Sequence, residues 1–210
     1  TIDGLERKIK TNPLTNYNAL VVDQNLKNNS FVSLMNTNVY RIGDDYDANV
    51  TGGFFNFKTK DQKYYLSGSG VLSQKFYSGN TERGHTYNIS LGKISGNWTY
   101  GAGHGVESKN YDPNDMGFLF SPNEQYYFAE GAYTQYKPKN EKLQQVKISG
   151  TSVYSRLYEP NVFTNFNIEL ESFMLWKSRF ALGLNTRLEP VNTFDYFEPR
   201  TDDFSRFMTW

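Results

Sequence analysis

From about residue 14 to residue 190 the chain repeats one pattern: roughly ten residues of alternating polar and apolar character, then a break rich in Gly, Asn, Ser or Asp. A period of two places alternate side chains on opposite faces of an extended backbone, so each run predicts a two-faced β-strand. The spacing predicts ten strands, at 14–26, 31–40, 48–58, 64–76, 85–94, 98–107, 124–136, 143–157, 163–173 and 179–189. In 98–107, Trp98, Tyr100, Ala102 and Val106 oppose Thr99, Gly101, Gly103 and Gly105. In 163–173, Phe166, Ile168 and Leu170 oppose Asn165, Asn167, Glu169 and Glu171. In 31–40, Phe31, Met35 and Val39 oppose Asn36 and Asn38. The pattern does not separate the faces of 124–136.

The breaks between strands read as alternately tight and generous. Tight links are expected at 27–30, 59–63, 95–97, 137–142 and 174–178, and longer ones at 41–47, 77–84, 108–123 and 190–203, with 158–162 a short exception. This is the signature of an up-and-down meander with short turns on one side. The fold class expected is all-β: an antiparallel up-and-down transmembrane β-barrel, forming one unit over 1–210. Segment 1–13 is then an extracellular loop and 204–210 the start of a further strand. Short turns on the periplasmic side would start and end the ten strands outside the cell, so the chain reads as an internal segment of a larger barrel. Sealing by pairing 14–26 with 179–189 is not expected; missing strands or another polypeptide should cover both edges.

Composition decides between lipid and a protein core as the apolar environment. Mean hydropathy is −0.66 and apolar content 38%, yet Phe 16, Tyr 16 and Trp 3 make the chain too rich in aromatics to be disordered. A thin apolar shell around a wet interior suits these figures. The polar faces carry Ser, Gly and mixed charges, and Trp98, Tyr87, Trp176 and Phe180 stand near turns, where interfacial girdles lie. Lys plus Arg and Asp plus Glu both total 22, with no basic run, so no nucleic-acid partner is expected. The chain has no cysteine, which removes thiol chemistry and disulfides. No apolar run reaches the length of a membrane helix.

Charges facing lipid are costly, so Asn165, Asn167, Glu169, Glu171, Arg179, Arg187 and Glu189 are expected to line the lumen. Their interleaved signs read as a stiffening ion-pair network ahead of a selectivity lining. Asp44, Asp45, Asp47, Asp112 and Asp115 offer oxygen ligands suited to calcium, but neither loop has EF-hand spacing, and no metal is assigned. His85 and His104 are too few for a histidine metal cluster and read as rim residues. No catalytic residue and no cofactor are assigned.

Three segments carry a family resemblance. Asn36-Thr37-Asn38-Val39 with Asp47-Ala48-Asn49-Val50-Thr51-Gly52, then Tyr111-Asp112-Pro113-Asn114-Asp115-Met116-Gly117-Phe118, then Phe194-Asp195-Tyr196-Phe197-Glu198-Pro199-Arg200 resemble a domain-of-unknown-function family (number 5916) of Bacteroidota. The resemblance spans about 30–207 and implies the membrane-barrel region C-terminal to a carbohydrate-binding-module-like domain, in the outer membrane of a Gram-negative bacterium. It supplies no catalytic residue and no substrate. The function expected is an outer-membrane barrel serving transport or envelope assembly, partnered by the lipid bilayer and by other outer-membrane proteins or missing strands. The alternatives are an outer-membrane enzyme using Asp112, Asp115, Asp195 and Glu198 on its loops, and a soluble glycan-binding β-sandwich with exposed Tyr and Trp.

Overall fold

The computed structural model describes residues 12–43 and 45–197, with the backbone of 207–209. Asp44, Glu198 and most of the expected loop 1–13 lie outside the described residues. Ten strands form: β1 (Thr15–Leu26), β2 (Ser30–Arg41), β3 (Asp47–Lys58), β4 (Tyr64–Tyr77), β5 (Asn80–Lys93), β6 (Trp98–Glu107), β7 (Glu124–Gln135), β8 (Leu143–Leu157), β9 (Phe163–Trp176) and β10 (Ala181–Leu188). Each pairs antiparallel with the next, in the order β1 to β10, as an up-and-down sheet. The sheet is not closed into a barrel. β1 and β10 are its two edges and do not pair with each other. Among the described residues no helix is long and apolar enough to cross a membrane.

Two expectations about connections need correction. The link expected at 77–84 is the two-residue turn Ser78-Gly79, because β5 begins at Asn80 and continues straight through Gly84. With the links 42–46 and 158–162 also short, the expected alternation of tight and generous connections reduces to a single long loop between strands, 108–123. β10 begins at Ala181, which leaves Arg179 in the preceding turn at φ 70°, its N–H donating to the Trp176 carbonyl at 2.9 Å. Arg179 therefore does not share the strand face expected of it. Beyond β10, β11 (Thr193–Asp195) pairs antiparallel with β12 (Phe207–Thr209) in a separate two-stranded ladder, so the strand expected after 204 does not extend the large sheet.

Register fixes the faces. The rung Thr37–Val50–Ser73–Gly84 belongs to the face over which loop 108–123 folds, and we call this the inner face. Ser69, Asn88, Gly105, Tyr126, Ser155 and Asn165 continue it on one rung across β4 to β9. Leu66, Leu91, Ala102, Ala129 and Ile168 belong to the opposite, outer face. The large exposed apolar side chains gather on the outer face, including Leu20, Leu34, Ile89, Leu91, Ile148, Leu170 and Leu184. The inner face is enclosed at one end, where Val39, Ala48, Val50 and Tyr111 are buried, and on the outer face Val106 is buried as well. The sheet thus has a small core inside and an apolar wall outside.

Candidate functional site: the inner face and its loop

On β6 to β10 the inner face is polar and acid-rich. Glu107 and Glu124 stand opposite each other, followed by Glu130, Glu169 and Glu171, with Glu189 just past β10. Among the described residues these six carboxylates face two cations on the same strands, Lys147 and Arg187. Lys147 Nζ is 3.8 Å from Glu171, whose carboxylate also accepts from Ser149 Oγ at 3.3 Å. Arg187 lies 3.6 Å from Glu169 and 3.0 Å from Glu189. These ionic side chains are about half exposed, so water screens them and each pair contributes little stability. Lys147, Glu169 and Glu171 border a recess of about 660 Å³ whose walls also include Tyr65, Thr99, Glu130 and Thr151.

The glycines of β6 shape this surface. A Cβ at Gly103 would lie 2.4 Å from the Phe128 ring, and one at Gly105 2.4 Å from the Tyr126 ring. The missing side chains let both rings lie flat on the neighbouring strand instead of standing out from it, an arrangement that shields a bare backbone.

Loop 108–123 is fastened onto the other end. Its backbone crosses Gly84 so closely that a Cβ there would lie 2.2 Å from Asn110 O and from Tyr111 N. The Asp112 N–H donates to Ser73 Oγ at 3.0 Å, and the Asp112 carboxylate pairs with Lys75. Asp115 pairs with Arg41 and accepts from the Tyr46 hydroxyl at 3.1 Å. The Tyr46 ring serves both cations, with the Arg41 guanidinium 4.4 Å and Lys75 Nζ 5.1 Å from its centroid. Inside the loop, the Asn114 N–H donates to Asp112 Oδ1 at 2.9 Å, and Asn114 Oδ1 accepts from the Leu119 N–H at 2.6 Å. At its far end buried Asn123 donates to the Glu159 carbonyl and accepts from the Glu159 N–H, at 2.8 and 2.9 Å.

The electrostatics follow. Partial burial pushes the Asp112 carboxyl up, but the Lys75 hydrogen bond and charge, with the Asn114 N–H, outweigh it and hold the group below its ordinary value. Partial burial, then the Asp115 charge, raise the Tyr46 phenol. Burial, then Glu107, raise that of Tyr111.

This clasp takes Asp112 and Asp115 from the second of the three segments that carry the resemblance, while Arg41, Tyr46 and Lys75 lie outside all three. Over residues 1–209 the chain matches the family model described as Domain of unknown function (DUF5916). The chain belongs to that family. No curated protein and no solved structure matches it.

In this DUF5916 chain the residues singled out in the sequence fall into distinct places. Asn165, Asn167, Glu169, Glu171 and Arg187 share the inner face, Glu189 bonds Arg187 just past β10, and Arg179 stands apart in its turn. The carboxylates considered for calcium do not converge: Asp112 and Asp115 are each taken by a protein cation, and Asp47 accepts the Arg41 N–H at 2.7 Å. Among the described residues no group of three or more His, Cys, Asp or Glu is arranged to hold a metal. His104 lies on the outer face, stacked on Tyr127 at 4.2 Å, with Nδ1 2.9 Å from the Tyr126 carbonyl and Nε2 3.3 Å from the Tyr87 hydroxyl. The sequence reading missed Glu130 because β7 carries aromatics on both faces, Tyr126 and Phe128 inside and Tyr127 and Tyr133 outside.

Proposed function

We propose that this sheet is a stretch of wall of an outer-membrane β-barrel serving transport or envelope assembly, with the outer face toward lipid. The observation that carries the reading is the slant of the apolar band on that face. Phe57 of β3 and Ile168 of β9 stand on one rung, through Leu66, Leu91, Ala102, Ala129 and Ser152. The outward positions nevertheless stay apolar, Ser172 excepted, down β9 to Trp176, eight residues further (176 − 168), over six strand steps (9 − 3). The upper limit moves in the same sense. Taken at its bordering arginines, Arg83 of β5 sits four residues above Tyr87, beyond outward His85, and Tyr87 shares a rung with Val106, Gln125 and Arg156, three strands away on β8. Both limits shift by about 1.3 residues per strand, which at a rise of about 3.3 Å and a strand spacing of about 4.8 Å is a slant of about 40°.

That slant falls within the strand tilt of membrane barrels. The ten-residue step from Arg83 to Lys93 on β5 then spans about 25 Å across the membrane, the height of their apolar band. Trp98, Tyr100 and Trp176 mark the lower margin and Tyr87, Tyr127 and Tyr154 the upper one, as interfacial girdles do. Lipid cannot satisfy the backbone groups of an open edge, so strands from elsewhere in the same polypeptide or from a partner pair with β1 and β10. The loop-borne enzyme reading gains nothing from Asp112 and Asp115, which Lys75 and Arg41 neutralise.

The test is tryptophan quenching in vesicles of brominated phospholipid. Trp98 and Trp176 emission is expected to fall strongly, and Trp98→Phe with Trp176→Phe to abolish that loss. Emission indifferent to bromination would reject the membrane reading.

A further inference from the structure

The first of the resemblance-bearing segments is two-faced: Thr37, Val39, Ala48 and Val50 belong to the inner face, and its asparagines do not. Asn36, Asn38, Asn49 and Thr51 all point outward, on the face that carries the large exposed apolar side chains. Asn36 Nδ2 donates to Thr51 Oγ1 at 2.7 Å and to Asn49 Oδ1 at 3.1 Å, and Thr51 Oγ1 donates to Asn49 Oδ1 at 3.0 Å. Asn18, Asn38, Asn49, Gln74 and Arg83 stand side by side on one rung across β1 to β5. This rung is level. The upper limit of the apolar band, which slants from Arg83 to Arg156, stops slanting to the left of Arg83. Continued at the same angle it would rise toward β1 and put apolar side chains where the amides stand. Val39, Ala48 and Val50, buried on the inner side of these same strands, leave the amides no alternative direction.

Resting on the membrane reading above, we propose that this patch binds the phosphorylated saccharide headgroup of an outer-leaflet glycolipid. Hydrocarbon offers amides no hydrogen bond, so the occupant of this strip is polar. Asn18 and Asn38 make no side-chain hydrogen bond among the described residues, and each presents an amide that donates and accepts, as vicinal sugar hydroxyls require. Tyr40 and Phe76, both exposed, stand directly above on either side of Asp47, whose carboxylate accepts the Arg41 N–H, and give flat faces for sugar rings to pack on. Arg83 closes the row with the charge and donor geometry suited to phosphate. Directly below, exposed Leu20, Val22, Leu34 and Leu72 continue into the apolar band, where the acyl chains of the same molecule descend. The patch thus presents, from top to bottom, the succession of chemistries that such a lipid presents.

The experiment is native mass spectrometry of the full chain released from nanodiscs containing lipopolysaccharide or phospholipid alone. The wild-type protein is expected to retain lipopolysaccharide through delipidation, and Asn38→Leu with Asn49→Leu to reduce the retained fraction about tenfold without loss of nanodisc incorporation. Arg83→Gln should erase the preference for phosphorylated over dephosphorylated lipopolysaccharide. Equal retention by the wild type and the double variant overturns the proposal, as does a discrete dimer that the double variant abolishes, because the patch would then face a second copy. Should the double variant fail to insert, the wild type alone decides: lipopolysaccharide held no better than phospholipid overturns the assignment. Failure of the wild type to enter nanodiscs at all is a distinct result, and rejects the membrane reading itself.

Discussion

Arg41 at the end of β2 and Asp115 in loop 108–123 form an ion pair across 74 residues of sequence, with both side chains largely enclosed. Together with Lys75 and Asp112 it makes the longest loop of the sheet part of the inner wall.

Breaking one partner of an enclosed pair leaves the other charge uncompensated, which costs about 3 kcal/mol. Asp115→Asn and Arg41→Ala are each expected to release the loop while the strands persist. Hydrogen exchange should show fast amides over Tyr111–Leu119 and unchanged protection in β4 and β5. Unaltered protection of the loop would show that the clasp does not hold it.

Gly84 is a contact point for that loop. Gly84→Val places carbon where Asn110 and Tyr111 backbone atoms lie, and should cost about 2 kcal/mol or more through displacement of the loop. Gly70→Ala on the outer face meets nothing within 4 Å and should be tolerated. Denaturation midpoints of the two variants give the comparison, and equal midpoints would contradict it.

Acid should loosen the clasp. Asp112 is held below its ordinary value, so its contribution is complete above the unfolded carboxylate pKa of about 4 and disappears as pH falls through the folded value. A spin label at position 118, whose Phe side chain is exposed, should gain mobility between pH 7 and pH 3. With Asp112→Asn the label should be mobile throughout, without a transition. A wild-type label indifferent to pH would count against the assignment.

The inner-face pairs should behave differently. Glu169→Gln removes a half-exposed partner 3.6 Å from Arg187, which keeps Glu189 at 3.0 Å. Stability should change by less than about 0.5 kcal/mol. A loss of several kcal/mol would mean that the pair is far drier than its exposure implies.

Strand existence was legible because local alternation and turn chemistry carry it: β6 runs from Trp98 to Glu107 as the pattern predicts. What failed had physical causes. Gly84 reads as a loop residue in sequence, but its bareness serves the close passage of Tyr111, 27 positions on. Arg179 looks like part of the β10 alternation, yet its positive φ closes the turn before the strand. Glu130 was hidden by aromatics on both faces of β7. The clasp could not be read at all, since nothing local at Arg41 or Lys75 specifies a carboxylate tens of residues away. The outward amides were visible as Asn36 and Asn38 opposing Val39, but which side was the wall required the register.

The chain has no cysteine, so single cysteines can be spin-labelled without background. A scan of β5 from residue 86 to 91 in reconstituted bilayers reads the orientation of the wall itself, because register puts Tyr87, Ile89 and Leu91 outside and Asn88 and Ser90 inside. Labels at 87, 89 and 91 should be accessible to oxygen dissolved in lipid, and those at 88 and 90 to a water-soluble nickel chelate, alternating with a period of two. Water accessibility at 87, 89 and 91, or no alternation along β5, would contradict a lipid-facing outer wall.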